Sequence, residues 1–95
     1  MKSFSVYILE CADGSYYTGY AADVEARFAR HVRGKGAKYT RSHRPLRIVY
    51  KETLEDKSAA MHREWLIKQM TRKQKEQLIQ GDDRNLGTEK LSGNE

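Results

Sequence analysis

The sequence predicts an α+β domain, a three-stranded antiparallel sheet with helices packed against it in the order β-β-α-β-α-α. Three observations lead there. Residues 4–11 (FSVYILEC) and 15–20 (SYYTGY) are rich in aromatic and β-branched side chains and flank an Asp-Gly turn, as a hairpin requires. Residues 24–33 (VEARFARHVR) and 57–70 (KSAAMHREWLIKQM) carry apolar residues at helical spacing. Residues 46–54 (LRIVYKETL), directly after the only proline, form a third strand-like run. A small sheet needs a covering layer, and the helices supply it.

Four of the six tyrosines, Tyr7, Tyr16, Tyr17 and Tyr20, fall in the hairpin. The turn decides which of them share a face. A two-residue Asp-Gly turn pairs Tyr7 with Tyr20 and puts Tyr17 on the opposite face. A three-residue Ala12-Asp13-Gly14 loop, with Gly14 left-handed, pairs Leu9 with Tyr17 and Tyr7 with Gly19. Tyr7 and Tyr17 then point the same way. Both turns are common, and the residues alone leave both open.

Asp23 is placed to cap the first helix, and Gly34 to end it. Val24, Phe28 and Val32 form its apolar stripe, with Arg27 and His31 on the flank. Residues 33–45 (RGKGAKYTRSHRP) read as a basic loop without apolar periodicity. In the helix over 57–70, Ala60, Met61, Trp65 and Ile67 define an apolar arc, and Glu64 falls inside it. Thr71 is placed to cap a last short helix through Gln80, with Gly81 as its stop. Residues 82–95 lack an apolar pattern and are expected to be a disordered tail, leaving one domain over residues 1–81.

At 95 residues and 38% hydrophobic the chain can build one small core. No apolar run approaches the roughly 18 residues of a membrane span. The N-terminus is too short and polar for a signal peptide. The single cysteine, Cys11, excludes an intramolecular disulfide framework, and a cytoplasmic location is expected. From Asp82 onward two bases face four acids, a net of −2, so residues 1–81 carry +7 of the chain's overall +5. A body this basic suits a polyanion such as nucleic acid.

Three groups of side chains look chemical. A carboxylate on a core-facing stripe needs a cation, a hydrogen-bond network or a metal, and Glu64 is in that position. Its bland explanation is a salt bridge to one of the eighteen Lys and Arg residues. Arg27 offers donors that match a phosphate, and His31 titrates near neutrality, although charged residues beside an apolar stripe are most often merely solvated. Tyr7 and Tyr17 can be simple strand residues, or phenols whose pKa is lowered by a neighbouring cation or base. The histidines lack zinc spacing, and Gly34-Lys35-Gly36 lacks the pattern of a nucleotide-binding loop. Cys11 reads as a strand residue, His62 as solvated and Trp65 as core.

Over roughly residues 4–80 these residues resemble the GIY-YIG nuclease domain. Ser5-Val6-Tyr7 matches its first signature and Tyr17-Thr18-Gly19 its second. Arg27 with His31 four residues later matches its helix, and Glu64 its late glutamate. The run AKYTRSHRPLRIVY and the Arg-Glu pair before Ile-Lys are similar to the small stand-alone bacterial members. The departures are Ser5, Val6 and Thr18 at packing positions, and the lack of the late asparagine of larger members: Asn85 and Asn94 both lie in the tail.

The resemblance implies hydrolysis of DNA phosphodiesters with one divalent metal, Mg²⁺ or Mn²⁺, held by Glu64. Tyr7 is then the group that activates water, His31 assists the proton transfer, Arg27 neutralises the phosphate and Tyr17 orients it. Arg33, Lys35, Lys38, Arg41, Arg44 and Arg47 are expected to contact backbone phosphates, with Tyr39 stacking on a base. The expected partner is DNA, branched or single-stranded, in repair or recombination, with targeting by this domain or a protein partner. A nucleic-acid-binding module with little or no cleavage is the alternative, and an adaptor for an acidic protein a third reading.

Overall fold

The computed structural model describes residues 3–84. Its elements are β1 (Phe4–Cys11), β2 (Tyr16–Ala21), α1 (Val24–Val32), α2 (Lys38–Ser42), β3 (Pro45–Leu54), α3 (Lys57–Lys68) and α4 (Arg72–Arg84). β1 is the central strand of the sheet, whose order is β2-β1-β3 with both pairings antiparallel. Its sequence explains that place. Val6, Tyr7, Ile8 and Leu9 are apolar at every position rather than at alternate ones, so both faces must be covered. Val6 and Ile8 pack with Tyr50, Ala60 and Ile67, and Leu78 and Ile79 of α4 join them. Tyr7 and Leu9 pack on the other face with Ala21 and Val24, joined by Phe28 of α1. Helices therefore cover both faces, α3 and α4 one and α1 the other.

The hairpin takes the three-residue loop. Leu9 pairs with Tyr17 and Tyr7 with Gly19. Cys11 and Ser15 close the loop, and Gly14 has φ 86°, a left-handed conformation that glycine adopts without a Cβ clash. α1 begins as the sequence suggests, with Asp23 accepting from the Ala26 N–H, and Asp56 caps α3 in the same way by accepting from the Ala59 N–H.

Several elements differ from the sequence reading. The basic loop contains one helical turn, α2, which has no apolar period of its own and is anchored by the buried Thr40. On α1 the buried residues are Val24 and His31, while Val32 is 54% exposed. On α3 the buried residues are Ala60 and Ile67, and the partly buried Glu64 lies on the same side of the helix, four and three residues from them. Met61 and Trp65 lie one residue round from these positions and are exposed, so Trp65 is not core. α4 continues through Gly81, which keeps a helical backbone and forms no left-handed stop. The expected tail beyond residue 84, with Asn85 and Asn94, lies outside the described residues.

Candidate active site

The hairpin register puts Tyr7 and Tyr17 on the same face, their ring centres 6.4 Å apart. Opposite Tyr7 stands Gly19. A Cβ there would come 2.6 Å from the Tyr7 hydroxyl oxygen, so this glycine provides room rather than a turn. The Tyr7 phenol is thereby pressed into a buried position with its oxygen next to α1.

His31 meets it there. Its Nε2 lies 2.9 Å from the Tyr7 oxygen, and its Nδ1 lies 2.7 Å from Thr40 Oγ1. Thr40 Oγ1 donates its single proton to the Ala37 carbonyl at 2.9 Å. The hydroxyl must therefore accept from His31, which assigns the proton to Nδ1 and leaves a lone pair on Nε2. The Tyr7 O–H donates to that lone pair. The Ala37 N–H, 3.4 Å from Nδ1, is too distant to compete for this arrangement. Gly36 closes over the ring: a Cβ at that position would sit 2.1 Å from Nδ1. A four-group chain results, Tyr7 to His31 to Thr40 to Ala37, almost entirely out of water.

Electrostatics in this chain oppose charge. Burial pushes the Tyr7 phenol up to about 12, with Tyr17 and Glu64 adding to the shift and Arg27 reducing it. The lowered phenol pKa expected from the sequence is therefore not supplied by the protein alone. Burial also holds the His31 imidazole below its usual 6.5, helped by Arg27 and Arg30. His31 is the neutral acceptor at neutral pH. Below pH 6.5 an unfolded chain protonates this histidine while the folded chain resists. The unfolded state then binds more protons, so stability is full above that pH and falls as pH decreases through it. Denaturant unfolding measured across this window is expected to show a shallower pH slope in His31→Gln; an unchanged slope would assign the loss to other groups.

Glu64 reaches the same place from α3, which packs against the edge strand β2. Tyr7, Tyr17, Gly19, Arg27, Lys57 and Glu64 line one cavity of about 400 Å³. A neighbouring cavity of about 320 Å³ shares Tyr17 and Arg27 and adds Arg30, His31 and Lys35. The Glu64 carboxylate is 19% exposed and lies 3.2 Å from the Lys68 ammonium. The salt bridge and the placement in the cavity thus hold together. Among the described residues no three His, Cys, Asp or Glu side chains cluster as a metal cage. One carboxylate beside an open cavity does fit Mg²⁺, which keeps most of its waters and is commonly held by one or two carboxylates plus substrate phosphates.

All five site residues read from the sequence, Tyr7, Tyr17, Arg27, His31 and Glu64, line these two cavities, which share Tyr17 and Arg27. The basic residues are spread more widely. Lys35 lines the second cavity. Arg33, Lys38, Arg41 and Arg44 are exposed. Arg47 is engaged by Glu10 at 2.6 Å. One face of Tyr39 is covered by His43, whose ring lies parallel at 3.9 Å, and Tyr17 lies toward Tyr39 at 5.9 Å. Thr40 and Gly36 are the residues the sequence reading missed. Both sit in a segment without periodicity, and only their contacts with His31 reveal them. Among the described residues no helix is long and apolar enough to cross a membrane.

Comparisons with known proteins agree with this fold. The family model of the GIY-YIG catalytic domain matches residues 3–77. A UPF0213 protein of Staphylococcus aureus strain Mu3 is 56% identical over 79 residues, covering 83% of this chain and 96% of that protein. The solution structure of the UPF0213 protein BH0048 from Bacillus halodurans is 49% identical with a TM-score of 0.54, covering 82% of this chain and 83% of that one. The solution structure of EF2693 from E. faecalis is 38% identical with a TM-score of 0.61, covering 95% and 94%.

Proposed function

The chain belongs to the GIY-YIG family, and on that premise we propose that it is an endonuclease that hydrolyses DNA phosphodiester bonds with one divalent cation, Mg²⁺ or Mn²⁺, held by Glu64. The observation that carries this reading is the Tyr7–His31 hydrogen bond at the wall of a cavity that also holds Arg27 and Glu64.

The chain's own groups suit each part of the reaction. A water placed against the Tyr7 oxygen gives up its proton to that oxygen as Tyr7 passes its own to His31 Nε2. The relay lets a phenol act without first becoming a free phenolate, which its pKa of about 12 disfavours. Thr40 holds the imidazole in the accepting tautomer through Nδ1. Arg27 faces the phosphate and offsets its growing negative charge. Tyr17 hydrogen-bonds a phosphate oxygen and fixes its orientation. The bond from water to phosphorus forms as the bond to the 3′ oxygen breaks, and that oxygen takes a proton from solvent, giving 5′-phosphate and 3′-hydroxyl ends. When bound, the divalent cation supplies positive charge at the phosphate and the leaving oxygen. Such cutting, with backbone contacts that read little sequence, suits repair or recombination.

The test is incubation of the purified chain with single-stranded, duplex, flapped and four-way DNA, with Mg²⁺ or Mn²⁺ or with chelator. Cutting that needs the ion and leaves 5′-phosphate ends is expected. Binding without cutting under every condition would replace this reading with that of a binding module. Affinity is also expected to fall steeply with salt, with a log–log slope of about −4 if Arg33, Lys35, Lys38, Arg41 and Arg44 all meet phosphates.

A further inference from the structure

A third cavity, of about 250 Å³, opens beside the site and is lined by Tyr16, Tyr17, Thr18, Tyr39, Lys68 and Lys75. Tyr17 is its shared wall, since that ring also lines both cavities of the active site. The composition of this groove is one-sided. Two lysines, a threonine and three tyrosines line it, and no carboxylate does. Glu64 and Glu76 are the nearby acids, and each already has a cation, Lys68 and Arg72 respectively. Lys75 has no carboxylate within ion-pair distance among the described residues.

Two further facts mark the groove as incomplete without a ligand. Thr18 is 3% exposed, and its Oγ1 has no hydrogen-bond partner among the described residues. A buried hydroxyl without a partner costs stability, so it persists where something else rewards it. The cations also crowd one another. The Lys75 ammonium is held below its usual range by burial, then by Lys68 and Arg72, and Arg72 itself lies over the Tyr16 ring at 4.2 Å. An anion would relieve both conditions at once.

We propose that this groove is a second phosphate subsite, in which Lys68, Lys75 and the Thr18 hydroxyl hold the backbone phosphate next to the one being cut. The proposal rests on the nuclease reading for the source of that phosphate. A free phosphate has the same chemistry, but Tyr17 lines the groove, the reacting site and the Lys35 cavity alike. A nucleic-acid strand crossing Tyr17 then meets Lys68 and Lys75 as well as the cations of the active site.

The test is binding of a short DNA oligonucleotide as a function of salt, in the Glu64→Ala background with chelator present, so that nothing is cut. Lys75→Gln is expected to weaken binding several-fold at low salt and to reduce the log–log salt slope by about one. Thr18→Val is expected to weaken binding while the chain unfolds at an unchanged or higher temperature, because the orphan hydroxyl is gone. An unchanged slope in a folded Lys75→Gln chain overturns the subsite. So does saturation of the groove by inorganic phosphate at matched ionic strength with no effect of Lys75→Gln on the oligonucleotide. Failure of the nuclease reading shows separately, as absence of cutting in the unmodified chain with Mg²⁺. A chain that never cuts but loses one unit of slope in Lys75→Gln retains the subsite.

Discussion

Tyr7→Phe is expected to lower DNA cleavage by a factor of about 10² to 10⁴, the usual range for removal of a general acid–base group. The ring itself contributes packing between β1 and α1, and phenylalanine preserves it. What disappears is the oxygen 2.9 Å from His31 Nε2. The imidazole then has no route to the attacking water. A buried acceptor loses its donor, a cost of about 1–3 kcal/mol in stability. Single-turnover cleavage, binding of uncut DNA and thermal unfolding should be measured together. The expected pattern is a large fall in rate, nearly constant affinity and a modest fall in melting temperature. Glu64→Ala run beside it is expected to lose cleavage as well. Near-normal cutting by Tyr7→Phe would mean that the water is activated elsewhere, and the relay would have to be abandoned.

Gly36→Ala is expected to cost about 10² in rate, because a displacement near 1 Å of a catalytic group has effects of that size. The added Cβ would lie 2.1 Å from Nδ1 of His31, far inside contact distance, so the imidazole must move. Overpacking adds a stability loss of about 1–3 kcal/mol. Gly34→Ala separates the two effects. Gly34 has φ 78°, where alanine is strained, yet a Cβ there meets nothing within 4 Å. That variant should lose stability and keep its cleavage rate. If both variants cut equally well per folded molecule, the position of His31 is not set by Gly36.

Much of this architecture can be read from the sequence because it rests on local signals. The tyrosine-rich hairpin, the Asp23 cap and the proline that opens β3 each act within a few residues. Glu64 is legible because a charge on an apolar line is expensive wherever that helix packs. Other features depend on tertiary contacts that no local pattern records. Val32 looks more hydrophobic than His31, yet His31 takes the buried place because both its ring nitrogens find partners. Trp65 looks like core, but the apolar line runs one residue away through Ala60 and Ile67. The single turn of α2 cannot be seen in a segment without periodicity. It exists to set Thr40 beneath an imidazole nine residues earlier.

The three-residue hairpin loop has a consequence for register. Ala12, Asp13 and Gly14 line none of the three cavities. Whether Ala12 stays out of the ladder nevertheless decides whether Tyr17 shares a face with Tyr7, because side chains alternate along a strand. A one-residue slip that pairs Ala12 with Ser15 would keep every catalytic residue in the chain and turn Tyr17 to the opposite face. The site is thus held by the register of a segment that never touches it.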